Sequence, residues 1–348
     1  MAATRDATRP GGDGRRTWRG RGAAALLVVA STLVALLLVE LALRVAGFSF
    51  ALYPERVEFG WPDPEIMTRL YRPDPDLLWV PRDYAETIER GLAERPELVC
   101  MGCSCTAWST YPELLAERVA RARPAAHIAY LNLGVGGWSS YQGRRQLERD
   151  VVRLGPRVVT LFYGWNDHWI GFGIEDREVA RVTSSFYRQL RALRVVQLVD
   201  RTRVAVAHGR RDTLPERVSE QDFRANLEAM VTVARRHGIV PVLVTAPTSH
   251  ERGREPSYLL LRWLRDLDDL VPLHRRYVEI VRAVAADLDV PLCDLAAFFD
   301  TLPRDLVRER YFGADGIHPT ADGDRVIAGR LFECLERHGL LDVLAAGD

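Results

Sequence analysis

The 348-residue chain contains no lysine. That absence excludes Schiff-base chemistry, a serine-lysine dyad and a lysine-bearing phosphate loop. Its 47 basic residues are matched by 47 acidic ones, and no long basic stripe runs through the body of the chain, which argues against a nucleic-acid partner. Cysteine is scarce: there are five, an odd number, and the first is Cys100. No lipoprotein cysteine therefore follows the N-terminal apolar run, and no disulfide framework is expected to hold the fold. Cys100, Cys103 and Cys105 lack a second pair at zinc spacing, so they read as small buried residues around a crowded turn rather than as a metal cluster.

What is present divides the chain. Residues 1–22 carry Arg5, Arg9, Arg15, Arg16, Arg19 and Arg21 among glycines and are expected to be a separate, flexible basic tail. Residues 23–47 are apolar except for Ser31, Thr32, Glu40 and Arg44, long enough at about 1.5 Å per residue to cross a hydrocarbon core. They are expected to form one transmembrane helix, with Glu40 and Arg44 paired across one helical turn. The positive-inside rule puts the tail in the cytoplasm and the body of the chain outside it. A cleaved signal peptide is the rival reading, but the apolar run exceeds the usual ~7–15-residue core of one.

Residues 48–96 hold Pro54, Pro62, Pro64, Pro73, Pro75 and Pro81 with Tyr53, Trp61, Tyr71 and Trp79. This composition predicts a membrane-proximal connector with a few short strands and no regular helix. Its aromatics serve packing or the membrane interface ahead of substrate binding. From residue 97 onward, apolar strands alternate with amphipathic helices. Strands are expected at 98–101, 128–133, 158–163, 240–245 and 291–295, and helices at 111–122, 142–154, 223–237, 278–288 and 321–338. The alternation implies an α/β fold, a three-layer sandwich around a parallel sheet of about five strands. Two long stretches, 168–222 and 248–275, follow the third and fourth strands and are read as lid or rim segments on the ligand-binding side.

Four loops then fall at the carboxyl ends of strands. The first, Gly102-Cys103-Ser104-Cys105-Thr106, presents Ser104, a nucleophile only if a base and an oxyanion hole lie elsewhere. The second, 132–139, offers glycine N–H groups that a substrate can approach closely. In the third, Gly164-Trp165-Asn166-Asp167, the Asn166 amide is a neutral donor. The fourth, Asp315-Gly316-Ile317-His318-Pro319, spaces Asp and His so that one turn can place both on one side.

This ordered set resembles the SGNH/GDSL hydrolase superfamily, whose four blocks contribute Ser, Gly, Asn and His in this order, over residues 97–338. The resemblance implies a flavodoxin-like fold and a serine esterase or acylhydrolase. Ser104 would be the nucleophile, His318 the general base and then acid, and Asp315 the carboxylate orienting it. Ser104, Gly137 and Asn166 would form the oxyanion hole, and Asp167 would brace its loop. The substrate would be an ester-bearing small molecule, lipid or glycan, with no metal or organic cofactor. An O-acyltransferase or deacetylase of envelope glycans would use the same machinery. The first block departs from the family: Cys103 stands where Gly-Asp-Ser has its aspartate, a residue that normally supports the nucleophile loop. The glycine usual just after the nucleophile is also replaced, in Thr106-Ala107-Trp108. A cysteine nucleophile at Cys103 or Cys105, and a non-catalytic scaffold, follow from that departure as alternatives.

Overall fold

The computed structural model describes residues 14–50, 69–170, 175–178, 189–190, 192–208, 215–259 and 263–346. The first half of the basic tail, residues 51–68 of the connector and much of the first long insertion lie outside these. The N-terminal helix α1 (Gly14–Val45) includes one apolar stretch, Ala23–Val45, long enough to cross a membrane. It begins at Gly14, which corrects the expectation of a flexible tail as far as residue 22, and ends at Val45, two residues before the expected Gly47, whose φ of 66° suits a residue without a Cβ. Arg44 pairs with Glu40 at 2.7 Å, one turn apart.

Strands β1 (Tyr71–Asp74) and β2 (Leu78–Pro81) form an antiparallel hairpin. The helix α2 (Tyr84–Glu94) then corrects the expectation that this region holds no regular helix. Prolines stop at Pro81 and resume at Pro96. Between them Tyr84, Ile88 and Gly91 recur at helical spacing and are buried, so the average composition of the region concealed a proline-free amphipathic segment.

The main sheet comprises β3 (Leu98–Gly102), β4 (Tyr130–Asn132), β5 (Val158–Phe162), β6 (Val240–Val244) and β7 (Leu292–Cys293). They run β4-β3-β5-β6-β7, all parallel. Every residue of β3 and β5 is buried, as strands covered on both faces require. The helices are α3 (Tyr111–Ala122), α4 (Ser140–Gln146), α5 (Arg194–His208), α6 (Glu220–Arg236), α7 (Leu270–Asp287) and α8 (Ala321–Arg337). One layer packs α3 against α8; the other packs α6 against α4 and α7.

Most differences from expectation are boundaries, and two are changes of kind. The expected helix at 142–154 widens into a π-helical stretch at Leu147–Val151. Leu295, expected to end a strand, opens a helix whose N-cap Asp294 accepts from Ala297 N. The helix α7 begins inside the stretch read as a lid.

A disulfide joins Cys293 on β7 to Cys334 on α8, with 5.6 Å between their Cα atoms. This corrects the expectation that no disulfide holds the fold. The two cysteines stand 41 residues apart, and only the packing of the closing helix on the edge strand brings them together. Cys100, Cys103 and Cys105 are free and buried.

Candidate active site

In this strand order the second strand lies on one side of the first and the remaining three on the other, so the crevice for a ligand opens above β3 and β5. Ser104 follows β3 and Asn166 follows β5, at that crevice. Ser104 opens a one-turn helix, Ser104–Ala107, so its own N–H has no partner within the helix.

The fourth loop, distant in sequence but adjacent in space, brings His318 to Ser104, 214 residues earlier in the chain. Its Nε2 lies 2.7 Å from Ser104 Oγ, and its Nδ1 lies 2.6 Å from Asp315 Oδ2. The other Asp315 oxygen accepts from the N–H groups of Ile317 at 2.9 Å and His318 at 3.0 Å, closing the turn. Burial raises the Asp315 carboxyl, but these hydrogen bonds and the nearby imidazole outweigh it and hold the group at about 2. Asp315 is thus an anion aligned on the imidazole.

The second loop is shaped by its glycines. A Cβ on Gly134 would lie 2.4 Å from the Ala107 nitrogen, so the loop seats against the nucleophile turn only with glycine there. Gly137 has φ 79°, a conformation that favours glycine, and it lines the cavity beside Ser104. Its carbonyl accepts from Arg217 at 2.8 Å, and Arg217 forms a buried ion pair with Asp176, also 2.8 Å. Asp176 in turn accepts from Ser139 Oγ. The Asn166 side chain donates to the Trp138 carbonyl at 3.0 Å, which orients its amide and leaves the second N–H available.

Asp167 accepts from Ser140 N at 2.8 Å and Gly164 N at 3.1 Å, fastening the third loop to the start of α4. Its full burial raises its carboxyl to about 6 against the opposing bonds from Ser140. The neighbouring Cys105 thiol lowers that of Cys103, and Cys103 with burial raises that of Cys105. Cys105 Sγ also donates to the Ile317 carbonyl at 3.6 Å. Cys105 therefore ties the nucleophile turn to the loop bearing His318, while the imidazole is hydrogen-bonded to Ser104.

Residues that the sequence reading did not assign complete the site. Tyr71 from the hairpin, Trp108, Trp165, Trp169, Tyr258 and Trp263 line a cavity with Ser104, Asn166 and His318. The stretch 248–275 thus contributes to the site through Tyr258 and Trp263, and the stretch 168–222 through Trp169. His250 Nε2 donates to the Asp315 carbonyl at 2.8 Å and steadies the turn that carries His318. Behind Trp165, whose ring stacks on His274 at 3.8 Å, His168 and His274 form a buried pair. His274 donates from Nε2 to the Ala246 carbonyl, so its Nδ1 accepts from His168 Nε2, and His168 Nδ1 has no hydrogen-bond partner among the described residues. The adjacency of Trp165 to Asn166 was the one available sequence signal for this wall. The histidines lie on separate loops and helices and carry none.

The chain belongs to the GDSL-like lipase/acylhydrolase family, whose model matches residues 98–260 and 201–326. It is 24% identical over 212 residues to the uncharacterised lipoprotein YqeF of Bacillus subtilis, a match covering 58% of this chain and 71% of the relative. Among solved structures it is similar to a lipase/acylhydrolase from Enterococcus faecalis, at 17% identity and a TM-score of 0.46, covering 70% of this chain and 96% of that one. A GDSL-like lipase from Bacteroides thetaiotaomicron is similar at 15% identity and a TM-score of 0.47, covering 74% and 98%.

Proposed function

We propose that the protein is a serine esterase acting on O-acyl esters outside the cytoplasm. The observation that carries this reading is the unbroken hydrogen-bond chain from Ser104 Oγ through both nitrogens of His318 to Asp315. Ser104 Oγ bonds to the acyl carbon as His318 takes its proton. His318 then gives that proton to the alcohol oxygen as the ester C–O bond breaks, and a water molecule releases the acid by the same route. The N–H groups of Ser104 and Gly137 and the Asn166 amide face the developing oxyanion. Cys103, in place of the family's aspartate, is compatible with this because Asp167, Cys105 and Arg217 hold the surrounding loops.

The extracytoplasmic placement is supported by the arginine-rich tail before α1 and by the Cys293–Cys334 bridge, a bond that persists in oxidising compartments. The test is a fluorophosphonate probe and a short-chain ester on the full chain in detergent. Labelling and release of free acid are expected in the wild type, and Ser104→Ala should abolish the first and lower kcat by at least ~10⁴-fold. Turnover that survives Ser104→Ala would overturn the assignment. Transfer of the acyl group to a glycan hydroxyl in place of free acid would reassign the reaction.

A further inference from the structure

The serine chemistry proposed above leaves open which side of the ester is selected. We infer that the site accepts only a short acyl group, with Trp169 setting the limit, and leaves the alcohol side open.

The stereochemistry of the tetrahedral intermediate divides the site. One substituent is Ser104 Oγ, and the oxyanion faces Gly137 and Asn166. The alcohol oxygen must lie beside His318, which protonates it. The His318 ring packs against Trp108, with ring centres 5.1 Å apart, and Trp108 is 51% exposed. The alcohol therefore leaves along an exposed aromatic face. The remaining substituent, the acyl chain, points away from the imidazole toward Trp165 and Trp169, which are buried.

That end is closed and stiff. Trp165 lies face to face with His274 at 3.8 Å, Trp169 stacks on Trp165 at 5.8 Å, and His168 meets Trp169 edge-on at 4.4 Å. The cavity holds about 70 Å³. At ~10–15 Å³ for each water-sized occupant, it takes only a few heavy atoms, far below the ~300–1,000 Å³ of pockets for larger ligands. An acetyl to butyryl group fits. A longer chain would have to displace stacked rings from a packed interior, where even added methylenes are costly.

The test is the chain-length profile of p-nitrophenyl acetate, butyrate, octanoate and laurate, measured as kcat/KM on the full chain in detergent. Wild type is expected to fall by about tenfold or more between butyrate and octanoate. Trp169→Leu, and the milder Trp169→Phe in case the first does not fold, should narrow that drop, read as the ratio of kcat/KM for octanoate to that for butyrate within each variant. Octanoate hydrolysed within threefold of butyrate by wild type overturns the inference, as does a folded Trp169 variant with an unchanged profile. Absence of Ser104-dependent turnover on every ester instead overturns the proposed reaction itself.

Discussion

The Asn166 amide has its plane fixed by the Trp138 carbonyl, at 3.0 Å, before any substrate arrives. A donor held in that way does not reorganise as charge develops on the substrate, which is where such groups lower a barrier. Asn166→Ala is therefore expected to lower kcat by about 10²–10³-fold with little change in KM, as read from initial rates on a short ester. A rise in KM at constant kcat would assign Asn166 to ground-state binding instead. That Ser104, Asn166, Asp315 and His318 meet at one cavity was legible because each stands in a short local block. Arg217 and His250 were not, although they position Gly137 and the Asp315 turn. Their partners lie 80 and 65 residues away, and an arginine or histidine in such a sequence carries no mark of its distant contact.

Elements were legible where periodicity was uninterrupted: the helix expected at 111–122 ends where α3 ends, because Tyr111, Leu115 and Val119 fall on one buried face. The helix α2 was lost to averaging over a proline-rich neighbourhood. The bridge between β7 and α8 was lost because the cysteine count says nothing about which helix closes the sheet. Its ring of about 41 residues should constrain the unfolded chain considerably. Replacing both cysteines, as Cys293→Ser with Cys334→Ser, is expected to remove about 2–4 kcal/mol of unfolding free energy. The readout is a lower denaturant midpoint than that of the oxidised wild type. An unchanged midpoint would show that the bridge contributes no stability.

For the molecule as a whole, acid is the destabilising direction. Burial pushes His168 well below its ordinary value and His274 to about 3, so the native state keeps both neutral. Below about pH 6.5 the unfolded chain takes up protons that the native state refuses, and stability falls as pH falls. Asp315, held at about 2, adds a loss with the same sign only below about pH 4. Asp167, raised to about 6, and Asp324, raised by burial, oppose the trend by binding a proton in the native state first, while His250, lowered by burial, adds to the two histidines. The urea midpoint should therefore be lower at pH 5.0 than at pH 7.5, with a shallower difference in His274→Gln, whose amide can still donate to Ala246. A midpoint that rises toward acid would contradict this account.

The end of α1 is fastened to the start of α5 (Arg194–His208) by side-chain and backbone bonds. Arg44 donates to the Ala192 carbonyl at 3.0 Å, Val195 N donates to Glu40 at 2.9 Å, and Phe50 N donates to Gln197 at 3.0 Å. With α1 in a bilayer, those bonds would hold α5 against the end of the span, so that this amphipathic helix would lie at the lipid surface.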